Sequence, residues 1–376
     1  MEGVMWNRLL RPLRHWYFRN SYGPEPIERR TGSIPARHRI DSARWISTPI
    51  PACITTCMQM IADYYHIDCS RRHFDFLMGF TYGAGDLPGI GYMPVGNDPE
   101  TGYLEAAPYI GLKSQYFTTN DPDLYLEAIR CNLTEARPVR LPVDMGALYG
   151  SDEVIPHSEV IIGYDEDVFE YYEPVCQPPA VCPHEDHNKG DQGCYAAEER
   201  LLDAVYSLSK IFDYPWRYGL SIFEAGPLST DVYALWQRNG RNLVGGQRMG
   251  MRWGAAATEH LANQIEKQNR KLDYERLRLI FEIGAYMRSE NAAFLRNIAG
   301  DRASILKAAE LFDKSAACFW NAFEALSSGL VTPNESQAIV EYTREIAGVE
   351  REAGKIFLAI EKNINIPTII ETDLAA

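Results

Sequence analysis

The segment Cys53-Ile54-Thr55-Thr56-Cys57-Met58-Gln59-Met60-Ile61-Ala62-Asp63-Tyr64-Tyr65, entered through Pro49-Ile50-Pro51, decides how this sequence reads. Its apolar side chains at 57, 58, 61, 62 and 65 recur at helical spacing, so a helix is predicted to begin at Cys53. A cysteine in a first helical turn feels the positive end of the helix dipole and free backbone N–H groups, both of which favour a thiolate. Cys57, one turn further on the apolar stripe, reads as packed and inert. On composition alone the same default would apply to Cys53.

A histidine further along changes that reading. Val160-Ile161-Ile162-Gly163-Tyr164 and Val168-Phe169-Glu170-Tyr171-Tyr172, joined by Asp165-Glu166-Asp167, form a predicted β-hairpin. Opposed residues in it sum to roughly 331, which sets His157 across from residues 173 and 174. Glu173 stands there. An imidazole oriented by a carboxylate at a sheet edge, facing a helix that begins with cysteine, is what a thiolate–imidazolium pair requires. Asp165 is excluded as the orienting group because it lies roughly 25 Å along the hairpin. Asp144, closing the predicted strand Pro138-Val139-Arg140-Leu141-Pro142-Val143-Asp144, is the reserve candidate. The plain alternative for His157 is an ordinary strand-edge histidine.

The rest of the chain sets limits. Its 376 residues suggest two domains. The net charge of −14 disfavours nucleic acid as a partner. Residues 1–45 hold nine Arg against four acids, a local +5 that leaves −19 elsewhere, and read as a basic extended arm. That arm is either solvated or a dock for an acidic partner. No run of eighteen apolar residues occurs, and the first residues lack a signal-peptide pattern, so neither a membrane span nor secretion is expected. Eight cysteines are too sparse for a disulfide scaffold, which points to a reducing, cytoplasmic compartment. The glycines between Gly79 and Gly91 lack the preceding strand and lysine of a phosphate loop, and read as turns or close backbone approaches. From about residue 196 the pattern is helical. The clearest helix has Thr332 as N-cap, Pro333 and a capping-box Glu335, with a stripe of Ile339, Tyr342, Ile346, Val349, Ala353, Ile356 and Ile360. Packing in a helical bundle is the default for that stripe, and a homodimer seam the alternative.

At Cys53–Tyr65, His157–Asp167 and Glu173-Pro174 the sequence resembles the papain-like cysteine enzymes, and in particular the leader peptidases fused to bacteriocin exporters. The resemblance implies Cys53 as nucleophile, His157 as base and Glu173 as orienting group. A longer resemblance, over most of residues 50–330, is to the butirosin-biosynthesis protein H family of acyltransferases. It takes in the Gly79–Gly91 loop, the 138–144 strand, Gly284-Ala285-Tyr286-Met287-Arg288, Ala293-Phe294-Leu295-Arg296 and Ala308-Ala309-Glu310-Leu311-Phe312. It implies an α+β chain: a papain-like catalytic domain over 46–195 and an all-α domain over 196–376. Ile54 stands where the peptidases have Gly, and no Gln precedes the cysteine to complete an oxyanion hole. Ser47 and Thr48 occupy that stretch and are the substitute oxyanion or substrate-binding candidates, with Asp144.

Acyl transfer is therefore expected over peptide hydrolysis, because a thioester is already activated. The expected donor is an acyl group on the phosphopantetheine of an acyl or peptidyl carrier protein, the acceptor a small-molecule amine, and no resident cofactor is implied. A cysteine peptidase or amidohydrolase of the same fold is the alternative, and a non-catalytic binding protein the third class. Cys176, Cys182, His184, His187 and Cys194 crowd a Pro-rich insert over 175–195. Cys182, His184, His187 and Cys194 form a zinc candidate of non-standard spacing; a disulfide or a plain surface loop are the other readings.

Overall fold

The computed structural model describes residues 2–30, 32–48, 52–87, 91–175, 194–248, 251–268, 273–326 and 333–362. The chain is α+β and divides into two compact units, residues 1–71 with 103–229 and residues 72–102 with 230–376. A single boundary after residue 195 does not describe this division. The strand Tyr218–Ala225 pairs with both Leu112–Thr119 and Val139–Asp144 and so extends the first unit past 195, while the glycine-rich stretch belongs to the second.

The first unit is built on a sheet in the order Glu25–Pro26, Leu112–Thr119, Tyr218–Ala225, Val139–Asp144, Pro156–Asp165, Val168–Tyr172 and Cys194–Ala197, with Arg37–Arg39 also paired to Pro156–Asp165. Neighbours are antiparallel except the first two. All of Val139–Asp144 and the interior of Pro156–Asp165 are buried, as expected where helices cover a sheet and the apolar-polar alternation is lost. The helix Cys53–Tyr64 packs on Pro156–Asp165, and the helix Glu198–Phe212 on Val139–Asp144.

The expected hairpin forms, with its register one to two residues on from the expected one. Val160 lies opposite Tyr172 near His157, and Tyr164 opposite Phe169 beyond a bulge between Ile161 and Gly163. The bulge inserts one residue into the longer strand, which no residue type in the run signals.

The N-terminal arm is not extended throughout. Residues Glu2–Tyr22 are helical, because Phe18 and Tyr22 have an aromatic cluster of Tyr116, Tyr214 and Trp216 to pack against. Much of its charge is met within the chain: Arg11 and Arg14 pair with Asp213, Arg29 with Glu127, Arg30 with Glu135, Arg39 with Glu170 and Arg44 with Asp63.

The second unit combines the helices Val232–Val244, Ala255–Gln268, Tyr274–Ala299, Ala303–Leu326 and Pro333–Leu358 with a small sheet. That sheet runs Gly246–Arg248, Met251–Trp253, Gly85–Leu87, Gly91–Met93. Thr332, the predicted N-cap, lies outside the described residues. Of the apolar stripe, Ile339, Ile346, Val349, Ala353 and Ile360 are buried, and the helix carrying it packs on three other helices of its own unit. The stripe is thereby used inside the bundle. Gly83 sits at φ +133 with Asn242 O only 2.8 Å from where a Cβ would stand, so the close-approach reading of the glycines holds there. Arg288, fully buried, ties this stretch to the helices: it donates to the carbonyls of Thr81, Gly83 and Pro94 and pairs with Glu350. Among the described residues no helix is long and apolar enough to cross a membrane.

Candidate active site

Cys53 is the first residue of its helix, which starts without a side-chain cap at Ala52 and without an acidic residue in its first turn. The thiol is half-buried and forms no disulfide. The start of this helix is braced from the sheet: Tyr103 Oη donates to Ile54 O at 2.6 Å, the Arg140 guanidinium stacks 4.6 Å from the Tyr103 ring centroid, and Arg140 Nε donates to Ser158 Oγ at 2.6 Å. Cys57 is fully buried, its Sγ donating to Ser158 O at 3.2 Å, and burial pushes its thiol pKa well up. It is the packed thiol that its place on the apolar stripe predicted.

His157 lies in the strand Pro156–Asp165, next to Ser158, whose carbonyl holds Cys57. Its Nε2 is 2.9 Å from Glu173 Oε1, and Cys53 is within hydrogen-bonding reach of the same ring. Burial alone would push the imidazole pKa down. The charges and hydrogen bonds of Glu173 and Cys53 outweigh it and hold the pKa well above the ordinary histidine value, so the imidazolium is favoured here.

Glu173 follows the strand Val168–Tyr172 and is held from several sides. Oε1 accepts from the Val175 amide at 2.9 Å, Oε2 from Tyr149 Oη at 3.3 Å, and Tyr171 Oη donates in turn to Tyr149 Oη at 3.1 Å. Trp45 Nε1 donates to the Glu173 carbonyl at 2.8 Å. Burial would raise this carboxyl, but the His157 charge and hydrogen bond and the Val175 amide bring it below its usual value, so it stays ionised.

The remaining predicted residues separate from this group. Asp144 caps the short helix Met145–Tyr149 and accepts from Gly146 N, Ile155 N and Ser207 Oγ at 3.1, 2.9 and 2.7 Å. Its register partner is Pro156, while His157 faces Val143, so Asp144 serves the turn and not the imidazole. The Thr48 amide donates to Pro174 O at 3.0 Å, and Thr48 bridges Val175. That amide is committed to holding the Glu173 segment and is not an oxyanion donor; half-buried Ser47 precedes it. Of the zinc candidates, Cys182, His184 and His187, like Cys176, lie outside the described residues. Cys194 is a buried strand residue opposite Tyr171 and forms no disulfide.

Sequence reasoning missed Glu159. Two residues along the strand from His157, it shares the same face, is fully buried, and brings Oε1 to 3.4 Å from His157 Nε2. Burial, followed by the nearby Glu173 charge, pushes its carboxyl well above the usual range, which makes it the neutral acid of the pair. The signal was present: a Glu in phase with His157, just ahead of the apolar run Val160-Ile161-Ile162.

No model of a known protein family matches this sequence, and no curated protein matches it.

Proposed function

We propose that this chain is a cysteine-dependent acyltransferase with a papain-like first unit, moving an acyl group from a carrier-protein thioester through Cys53 to an amine. The observation that carries this reading is the imidazole of His157, placed between the Cys53 thiol and the Glu173 carboxylate with a 2.9 Å contact to the latter. A helix opening with cysteine, packed on an antiparallel sheet that supplies the histidine and the acid, supports the papain-like assignment.

In this scheme His157 takes the Cys53 proton, and the thiolate attacks the thioester carbonyl. The carbon–sulfur bond to the carrier breaks, and His157 returns the proton to the departing phosphopantetheine thiol. An amine then attacks the acyl-Cys53 thioester, and His157 accepts the amine proton and passes it to Cys53 as the carbon–sulfur bond breaks, giving an amide and the free thiol. Glu173 holds the imidazolium in both halves. Three features favour a thioester over a peptide as substrate. Ile54 replaces the glycine of the peptidases, no Gln precedes the cysteine, and the Thr48 amide is spent on Pro174 O. Loss of one oxyanion donor costs about a hundredfold or more in amide cleavage. A thioester, with its good leaving group, needs less. The setting that fits is a natural-product pathway in the cytoplasm.

The test is intact-protein mass spectrometry after incubation with a panel of acyl thioesters, comparing wild type with Cys53→Ala. An adduct that requires Cys53 and is discharged faster by amines than by water is the expected result. Peptide cleavage without any thioester adduct would replace this reading with a papain-like peptidase, and silence in both assays with a binding protein.

A further inference from the structure

Both carboxyl oxygens of Glu159 are buried, and among the described residues no N–H or hydroxyl group donates to either; its hydrogen bond is the one its acid proton makes to the Glu173 carboxylate. Their polar neighbours are His157 Nε2 and the Glu173 carboxylate, and one donor atom from each of the three residues lies within 4.8 Å of the others. Buried polar groups are rarely left unmet in folded proteins, and such a carboxyl points to a partner other than protein. The contrast within the molecule is direct: Glu350, a buried glutamate of the second unit, is met by Arg288 and by Ser315 Oγ at 2.8 Å.

We propose that His157 Nε2, Glu159 and Glu173 form a binding site for a zinc-class divalent ion, and that its occupancy switches off the Cys53 chemistry. The spacing fits. Ligand atoms on a tetrahedral ion at about 2.0–2.1 Å stand about 3.3–3.4 Å apart. From Nε2, the two carboxylates already lie at 3.4 and 2.9 Å. One imidazole and two carboxylates neutralise a divalent charge and leave a position open for water. A nitrogen ligand favours zinc and its transition-metal neighbours over magnesium or calcium. On binding, the ion takes the lone pair of Nε2, and the protons held by the imidazole and by Glu159 pass to solvent. An imidazole ligated at Nε2 no longer becomes an imidazolium, so it cannot accept the Cys53 proton and keep the pair charged.

The metal site stands on the three side chains alone; its inhibitory effect rests on the acyl-transfer reading. The experiment therefore needs no substrate for its first arm. Full-length, chelator-treated protein is titrated with Zn2+ against a chromophoric chelator, comparing wild type, Glu159→Gln and a double variant Cys182→Ser/His187→Ala in the insert. One ion per chain is expected at the site, weakened about tenfold or more by Glu159→Gln and unaffected by the insert variant, since lesser changes around metal ligands already cost that much. X-ray absorption on zinc-loaded wild type, which does not depend on any variant folding, should show nitrogen and oxygen neighbours near 2.0 Å without sulfur at about 2.3 Å. Zinc should also slow alkylation of Cys53 in wild type and not in Glu159→Gln. Sulfur in the first shell, equal affinity in Glu159→Gln, or no binding would each overturn the proposal. A metal-free failure to accept thioesters would instead overturn the acyl-transfer reading and leave the metal site standing.

Discussion

Each unit of this protein buries a charged network, and the two are finished differently. In the second unit Arg288 donates from all three of its nitrogens, to Glu350 and to three backbone carbonyls, and Glu350 accepts again from Ser315. In the first, His157 and Glu173 are well held, but no N–H or hydroxyl group among the described residues donates to Glu159, and Cys53 is half-buried. A saturated network in a low-dielectric interior fixes one arrangement and offers nothing to a ligand. An unsaturated one retains unspent interaction energy, which is the usual condition of a site that does chemistry.

The largest effect separates the two. His157→Gln removes the base without emptying its space, and acylation of Cys53 should fall by about a hundredfold or more, the range typical of general-base loss. Rapid-quench mass spectrometry reads it; a loss under threefold would mean that the imidazole is only structural. The counterpart in the second unit is Arg288→Met. It strands Glu350 in the core and should cost about 3–5 kcal/mol in denaturant unfolding while leaving the rate of Cys53 acylation per folded molecule unchanged. Adding Glu350→Leu removes the stranded charge, yet should recover only part of the loss. Thr81 O keeps Asn291 Nδ2 at 3.0 Å, but the carbonyls of Gly83 and Pro94 lose the Arg288 donor, at about 1–3 kcal/mol for each such group. Full recovery would show that the pair, and not the carbonyl cradle, is what Arg288 is kept for.

These two networks also mark what the sequence could reveal. His157 and Glu173 are joined by a hairpin, so their meeting was legible from local pairing even though the bulge at Ile161 and Gly163 shifted the register. Glu173 stayed within reach because a long side chain absorbs a shift of that size. Cys53 was legible from helical spacing. The partition of the chain was not: Tyr218–Ala225 pairs with strands far earlier, and the glycine-rich stretch is tied to the helices by an arginine reaching backbone carbonyls some two hundred residues earlier, which carry no residue signature. The N-terminal helix was obscured by its aromatics, whose partners Tyr116, Tyr214 and Trp216 are distant in sequence. Asp144 was misread because a helix-capping aspartate and an imidazole-orienting one look alike until the register is known.

A smaller effect sharpens the contrast among thiols. Burial, with Glu345 next, pushes Cys318 up to about 12, burial holds Cys57 well above the ordinary thiol range, and burial moves Cys131 upward as well. A thiol with a pKa of about 12 is about one part in a thousand thiolate at pH 9. Iodoacetamide between pH 6 and 9 should therefore mark Cys53 ahead of these three, with peptide mapping as the readout. Labelling of Cys57 at the same rate as Cys53 would remove the distinction between a reactive and a packed thiol on one helix.

The smallest effect concerns a network that is neither buried nor reactive. Asp213 ends the helix Glu198–Phe212 in the left-handed conformation at φ 54 and receives Arg11 and Arg14 from the N-terminal helix. Asp213→Asn keeps a residue that tolerates this conformation and removes the charge, so it isolates the ion pairs. Partly exposed pairs of this kind contribute about 0–1 kcal/mol, and the loss should shrink as salt is added. Asp213→Gly loses the same pairs but relieves the backbone, for which glycine is the preferred residue. It should therefore melt at or above Asp213→Asn. If Asp213→Gly were instead the less stable of the two, the aspartate would be acting through its side-chain hydrogen bonds more than through backbone tolerance. The docking of the N-terminal helix would then depend on Arg14, at 2.8 Å from Asp213 Oδ2, more than on the burial of Phe18 and Tyr22.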